Sequence, residues 1–106
     1  MESSIVVFVA CGSMKEAQRI ARMLVRTRLA ACVNILGQGK SIYRWKRRIE
    51  SATEILILVK STRKKFAVLE SEIRRLHSYD TPEIIAVPIL TGSKPYLRWL
   101  HQCVKD

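Results

Sequence analysis

Acidic residues are scarce in this chain. Nine Asp and Glu stand against nineteen Lys and Arg in 106 residues, a formal net charge of +10. An excess of that size points to an acidic partner: nucleic acid, a phosphorylated ligand or an anionic membrane surface. It also has a plain reading as solubility, because the basic residues are spread along the chain and are not massed in one tail. Cysteine is sparse too. Cys11, Cys32 and Cys103 form an odd set with no Cys-x-x-Cys spacing, which argues against a secreted disulfide framework and fits a reducing cytoplasm. No apolar run approaches the roughly 18 residues of a membrane span, so none is expected. No basic segment precedes the apolar run at 5–11, which therefore reads as a first strand and not as a signal peptide. There is no Gly-rich phosphate loop, no His-Glu-x-x-His and no Ser-His-Asp arrangement. The length predicts one domain over 1–106, with a modest core that burial against other subunits would enlarge.

What is present is periodic. Residues 5–10 (IVVFVA) are β-branched and aromatic without polar breaks, the pattern of a strand covered on both faces. Ser13 is a good helix N-cap and Glu16, three residues on, completes a capping box. Ala17, Ile20, Ala21, Leu24 and Val25 then keep the spacing of an amphipathic helix. A second apolar run at 29–36 is interrupted by Gly37 and Gly39, which predict a bulge or a turn. In "SIYRWKRRIE", Tyr43 and Trp45 share one parity, and 46–48 suit a hairpin tip before a third strand at 53–61. Ser61 or Thr62 is placed to cap a second helix with Phe66, Leu69, Ile73 and Leu76 as its apolar stripe and Glu70–Arg74 as a favourable pair. Pro82 stops it, a fourth strand spans 84–90 with Pro88 marking an edge or an end, and Pro95 opens a short C-terminal helix. Strand, helix, strand, strand, helix, strand is the α+β, ferredoxin-like βαββαβ sandwich.

The residues "RLAACVNI" (28–35), "SIYRWKRRIE" (41–50), "EILILVKS" (54–61), "FAVLESEIRRLHSYDTPEIIAVPI" (66–89) and "YLRWL" (96–100) resemble the CutA family, named for divalent cation tolerance. The resemblance covers nearly the whole chain in order. It implies a ferredoxin-like subunit in a tight homotrimer related to the PII signalling proteins, binding of copper or another divalent cation in some members, and no established catalytic reaction. Two places depart from the family's usual pattern. The hairpin tip, usually Trp-Glu-Gly-Lys, reads Trp45-Lys46-Arg47-Arg48, and the loop usually reading His-Pro-Tyr-Glu is His77-Ser78-Tyr79-Asp80.

Cys11, Cys32 and His77 resemble the family's proposed metal ligands, and thiolate and imidazole suit copper and zinc. The strand order places Cys11 and the His77 loop at one edge of the sheet and Cys32 at the other, about 20 Å away, so one subunit cannot use all three together. Each also has a plain structural reading: Cys32 as a small buried hydrophobe, Cys11 as a strand-end thiol, His77 as a helix C-terminal histidine matched to the helix dipole. Asp80, before Thr81-Pro82, reads as a turn-former. Trp45 and Tyr43 are either buried against a neighbouring subunit or line an intersubunit cleft, where Glu54, Lys60, Tyr79 and Glu83 add polar groups for a small, anionic ligand or a metal ion. The expected function is divalent metal or small-ligand binding, in metal tolerance or PII-like signalling, by a cytoplasmic protein that is not an enzyme. Two alternatives belong to other classes. A basic nucleic-acid-binding module is disfavoured because the apolar first and third strands read as covered. An acylphosphatase-type enzyme is disfavoured because "ACGSMKEAQ" has no Arg.

Overall fold

A computed structural model describes residues 3–104; the first two and last two residues of the expected 1–106 domain lie outside the described ones. The elements are β1 (Ser4–Cys11), α1 (Met14–Arg26), β2 (Cys32–Trp45), β3 (Arg48–Thr62), a 3₁₀ turn (Arg63–Lys65), α2 (Phe66–Leu76), β4 (Ile84–Pro88) and α3 (Lys94–Cys103). The strands form one antiparallel sheet in the order β2-β3-β1-β4, which is the expected α+β, ferredoxin-like arrangement.

Period-two alternation decides what each strand buries. Ile5, Val7, Val9 and Cys11 of β1 and Ile55, Ile57 and Val59 of β3 turn to one face, where they meet Ile20 and Leu24 of α1 and Leu69 and Ile73 of α2. α3 closes a smaller cluster in which Ala31, Leu100 and Val104 are buried. The other face of the sheet has much less cover within the chain: Phe8, Ile85 and Val87 are exposed there. The expectation that β1 is covered on both faces therefore holds for one face of a single subunit.

Several boundaries differ from those the sequence predicts, each for a local reason. Val25 is exposed on α1, and Met23 is buried in its place. Neither Ser61 nor Thr62 caps α2. Both are buried, Ser61 Oγ donates to the Leu29 carbonyl at 2.6 Å, and the chain enters α2 through the 3₁₀ turn without a side-chain cap. β4 stops at Pro88, which has no N–H to continue an edge ladder. The glycine interruption in β2 is a bulge between Ile35 and Gln38, with Gly37 at φ +89°.

The largest departure from compactness is the β2–β3 hairpin. β1 pairs with β3 only from Ile55 onward, so 48–54 and their β2 partners form a two-stranded arm reaching about 20–25 Å past the sheet. The arm gives the subunit its 44 × 25 × 23 Å extents. Its tip is a two-residue turn between paired Trp45 and Arg48, with φ +49° at Lys46 and +68° at Arg47. Positive φ at both central positions matches the right-handed twist of a hairpin but strains a residue that carries a Cβ. Arg47 occupies the place where the CutA pattern has glycine. Arg47→Gly should therefore raise stability by about 1 kcal/mol, read as a higher thermal midpoint; a lower midpoint would show that the arginine side chain makes contacts worth more than the strain.

Candidate functional site

The site is built where β1 ends. Gly12 and Ser13 leave the strand, and Ser13 Oγ accepts the Glu16 N–H at 3.1 Å, so α1 is capped as its sequence predicts. The Glu16 carboxylate turns outward from the helix. Its Oε2 accepts the Gly12 N–H at 3.1 Å and the Ser78 hydroxyl at 3.2 Å, and its Oε1 accepts the Ser78 N–H at 2.9 Å. One acid on the first turn of α1 thus anchors the chain that leaves α2, 62 residues away. Gly12 suits the close approach: a Cβ there would lie 3.3 Å from Tyr79 Cε1, a tight contact that the ring would have to shift to accept.

His77 completes the anchorage from below. Its ring is buried, with Nε2 2.8 Å from the Ala10 carbonyl and Nδ1 accepting the Tyr79 N–H at 3.1 Å. Those partners place the ring proton on Nε2. The Tyr79 ring packs against it, centroids 4.7 Å apart, and the Tyr79 hydroxyl is hydrogen-bonded to Glu54. Burial, then the hydrogen bond and charge of Glu54, push the Tyr79 phenol up to about 12. It stays protonated and donates.

Between this loop and the arm lies a cleft of about 760 Å³ that runs from Glu54 at the arm's base toward Trp45 at its tip. Tyr43, Trp45 and Glu54 form the arm side, and Tyr79, Asp80 and Glu83 the loop side. Tyr43 and Trp45 are about half exposed, at 44% and 46%, whereas Glu54 is 8% exposed. Glu54 sits at the joint, one residue past the last β3 residue that pairs with β1. Ser41, Thr81 and Ala10 also line the cleft.

Of the residues expected to form a cleft, Trp45, Glu54, Tyr79 and Glu83 converge and Lys60 does not. Lys60 shares the parity of Glu54 but lies six residues along β3, about 20 Å away, and its Nζ bonds to Asn34 Oδ1. Among the described residues the lining contains no Lys, Arg or His, so a small anionic ligand would meet carboxylates there. The three sequence-proposed metal ligands do not come together either. Cys11 aligns with Ile55 and Cys32 with Lys60, five residues apart on β3, or about 17 Å. Cys11 and His77 do share an edge, but the Cys11 thiol is buried, and burial, with the charges of Glu16 and Glu54, pushes it up to about 12, away from the thiolate that binds metal. Both His77 nitrogens are already hydrogen-bonded. Among the described residues, no group of three His, Cys, Asp or Glu side chains could hold a metal ion. Cys32 has a partly exposed thiol, 3.8 Å from Asn34 Oδ1. Sequence reasoning credited Glu16 only with a capping role. Its anchoring of Ser78 had no signal in either local pattern.

Comparison with known proteins gives concordant matches. Residues 5–103 match the profile of the CutA1 divalent ion tolerance protein family. The mouse protein CutA is 44% identical over 99 residues, 93% of this chain and 56% of its own length; the chain thus spans little more than half of that relative. The solved structure of the divalent cation tolerance protein from Thermus thermophilus superposes with a TM-score of 0.95 at 42% identity, over 96% of this chain and 99% of that one. A structure from Archaeoglobus fulgidus, described as a periplasmic divalent cation tolerance protein, gives 0.93 at 41% identity, over 96% and 99%.

The anchorage has a measurable pH signature. Burial alone would push the Glu16 carboxyl up, but the Gly12 and Ser78 hydrogen bonds and the nearby His77 ring outweigh it and hold it below the ordinary carboxylate value. A depressed folded-state pKa adds stability that is complete above the ordinary value and is lost as pH falls through the depressed one. Glu16→Gln should cost about 1–3 kcal/mol at neutral pH, and the gap to the parent should close as pH drops below about 4. Chemical denaturation across pH 3–7 reads this; a gap that does not vary with pH would show that Glu16 acts by shape alone.

Proposed function

The chain belongs to the CutA1 divalent ion tolerance family, and on that premise we propose that it is a homotrimeric, cytoplasmic binding protein supporting divalent-cation tolerance, with the cleft at the base of the arm as its ligand site. The observation that carries this reading is the convergence of Tyr43, Trp45, Glu54, Tyr79 and Glu83 from two distant segments on one cleft. Binding suits these residues better than catalysis. The natural nucleophile, Cys11, is held as a thiol, and the natural base, His77, has both nitrogens engaged with backbone. The loop after β1, where an acylphosphatase-type enzyme needs an arginine, is taken up by Gly12, Ser13 and their bonds to Glu16.

The need for partners follows from the arm and the open sheet face. A two-stranded hairpin is marginal by itself in water, and this one leaves Ile42 73% and Ile49 70% exposed. Phe8, Ile85 and Val87 lie uncovered on the sheet. A second copy covers both at once, and the family resemblance supplies the number three. Because the cleft is walled partly by the arm, a bound ligand would press on the subunit contacts, which is the route for PII-like signalling. Sedimentation equilibrium at micromolar concentration should give three times 12.2 kDa; a mass of one subunit would remove the trimer and the signalling route with it.

Copper has a separate observation in its favour. Cys32 stands directly opposite Lys60 on the sparsely covered face, so its thiol faces the neighbouring subunits of a trimer. Soft thiolate suits copper(I). Copper(I) titration should weaken roughly ten-fold or more in Cys32→Ser and stay unchanged in Cys11→Ser; the reverse pattern would return the metal to the buried edge.

A further inference from the structure

The ligand class of the cleft is legible in its lining. Resting on the reading that the cleft is a binding site, we propose that it takes an organic cation, an ammonium or guanidinium group carried on a slender apolar body.

Charge is the first argument. The chain has nineteen Lys and Arg and nine Asp and Glu, yet Glu54, Asp80 and Glu83 line the cleft and, among the described residues, no basic one does. The local field opposes that of the molecule as a whole. Glu54 is the sharpest case. It is more than nine-tenths buried, its hydrogen-bond donor is the neutral Tyr79 phenol, and among the described residues no basic side chain pairs with it. A buried carboxylate without a counter-charge is costly, and a cationic ligand supplies that charge.

Aromatic chemistry is the second argument. Tyr43 and Tyr79 stand near Glu54, and Trp45 lines the same cleft farther out, toward the tip of the arm. Ring faces attract cations, tryptophan most strongly, and they accept the methylene groups of an alkyl cation equally well. A bare divalent ion gains little from three aromatic rings and needs several oxygens at close range, which the described residues do not bring together. Size is the third argument. About 760 Å³ is the scale of small-metabolite pockets, well beyond what one hydrated ion fills. Rings, a buried acid and rim acids together specify a charged head on a narrow apolar stem.

Calorimetric titration of the assembled protein with three probes of like size separates the outcomes: n-butylguanidinium, butyrate and butanol. Butylguanidinium should bind, the other two should not, and its affinity should fall roughly ten-fold in Tyr43→Ala and in Glu54→Gln. Tyr43 lies on the arm, outside the core that the helices pack against, so its truncation reads the cleft without emptying that core. Binding of butyrate or butanol as tight as that of butylguanidinium, and weakened by Tyr43→Ala, would overturn the cation and leave the cleft as a site of another chemistry. Absence of binding by all three, or binding that neither substitution moves, would overturn the cation and the cleft reading together.

Discussion

One carboxylate holds the cleft end of this chain in register. Glu16 accepts the backbone N–H of Gly12 before α1 and both the N–H and hydroxyl of Ser78 after α2. Three segments, the outermost of them Gly12 and Ser78, therefore meet on two oxygens. The position of Tyr79, and through it the hydrogen bond to Glu54, follows from that anchorage. Charge-assisted hydrogen bonds of this kind are among the stronger ones available to a protein, and here they serve a loop that has no regular structure of its own to hold it.

The second constraint is what the subunit leaves unburied. A chain of this size has little apolar surface to spare, yet Ile42, Ile49, Ile85 and Val87 are all turned outward. The helices cover one face of the sheet and the arm leaves the sheet altogether. A two-stranded arm of this kind is marginal by itself in water. The cleft lies at the joint between the part that is complete within one chain and the part that is not.

Much of the fold is legible in the sequence because it rests on local periodicity. The capping pair Ser13 and Glu16, the alternation that puts Tyr43 and Trp45 on one side, and Pro82 after α2 all act within a few residues of themselves. The site is only partly legible, because parity fixes a face and not a position along it. Lys60 has the right parity and is about 20 Å from Glu54. Cys11 and His77 share the expected edge, but their chemistry is decided by burial and by the Ala10 carbonyl, which no spacing rule reports. Met23, three residues after buried Ile20, is in the core, and Val25 is exposed.

The Lys46-Arg47 turn carries a consequence of another kind. Lys46, Arg47 and Arg48 are three exposed basic residues in succession at an ordered tip, the residue types after which trypsin-like proteases cut. Such proteases bind their substrates extended, and both central residues of this turn are left-handed. The bond is therefore on display in composition and withheld in shape. Cleavage there requires the tip to open, so its rate follows the population of open arms and not the exposure of the side chains. A surface that looks vulnerable is protected by two backbone angles.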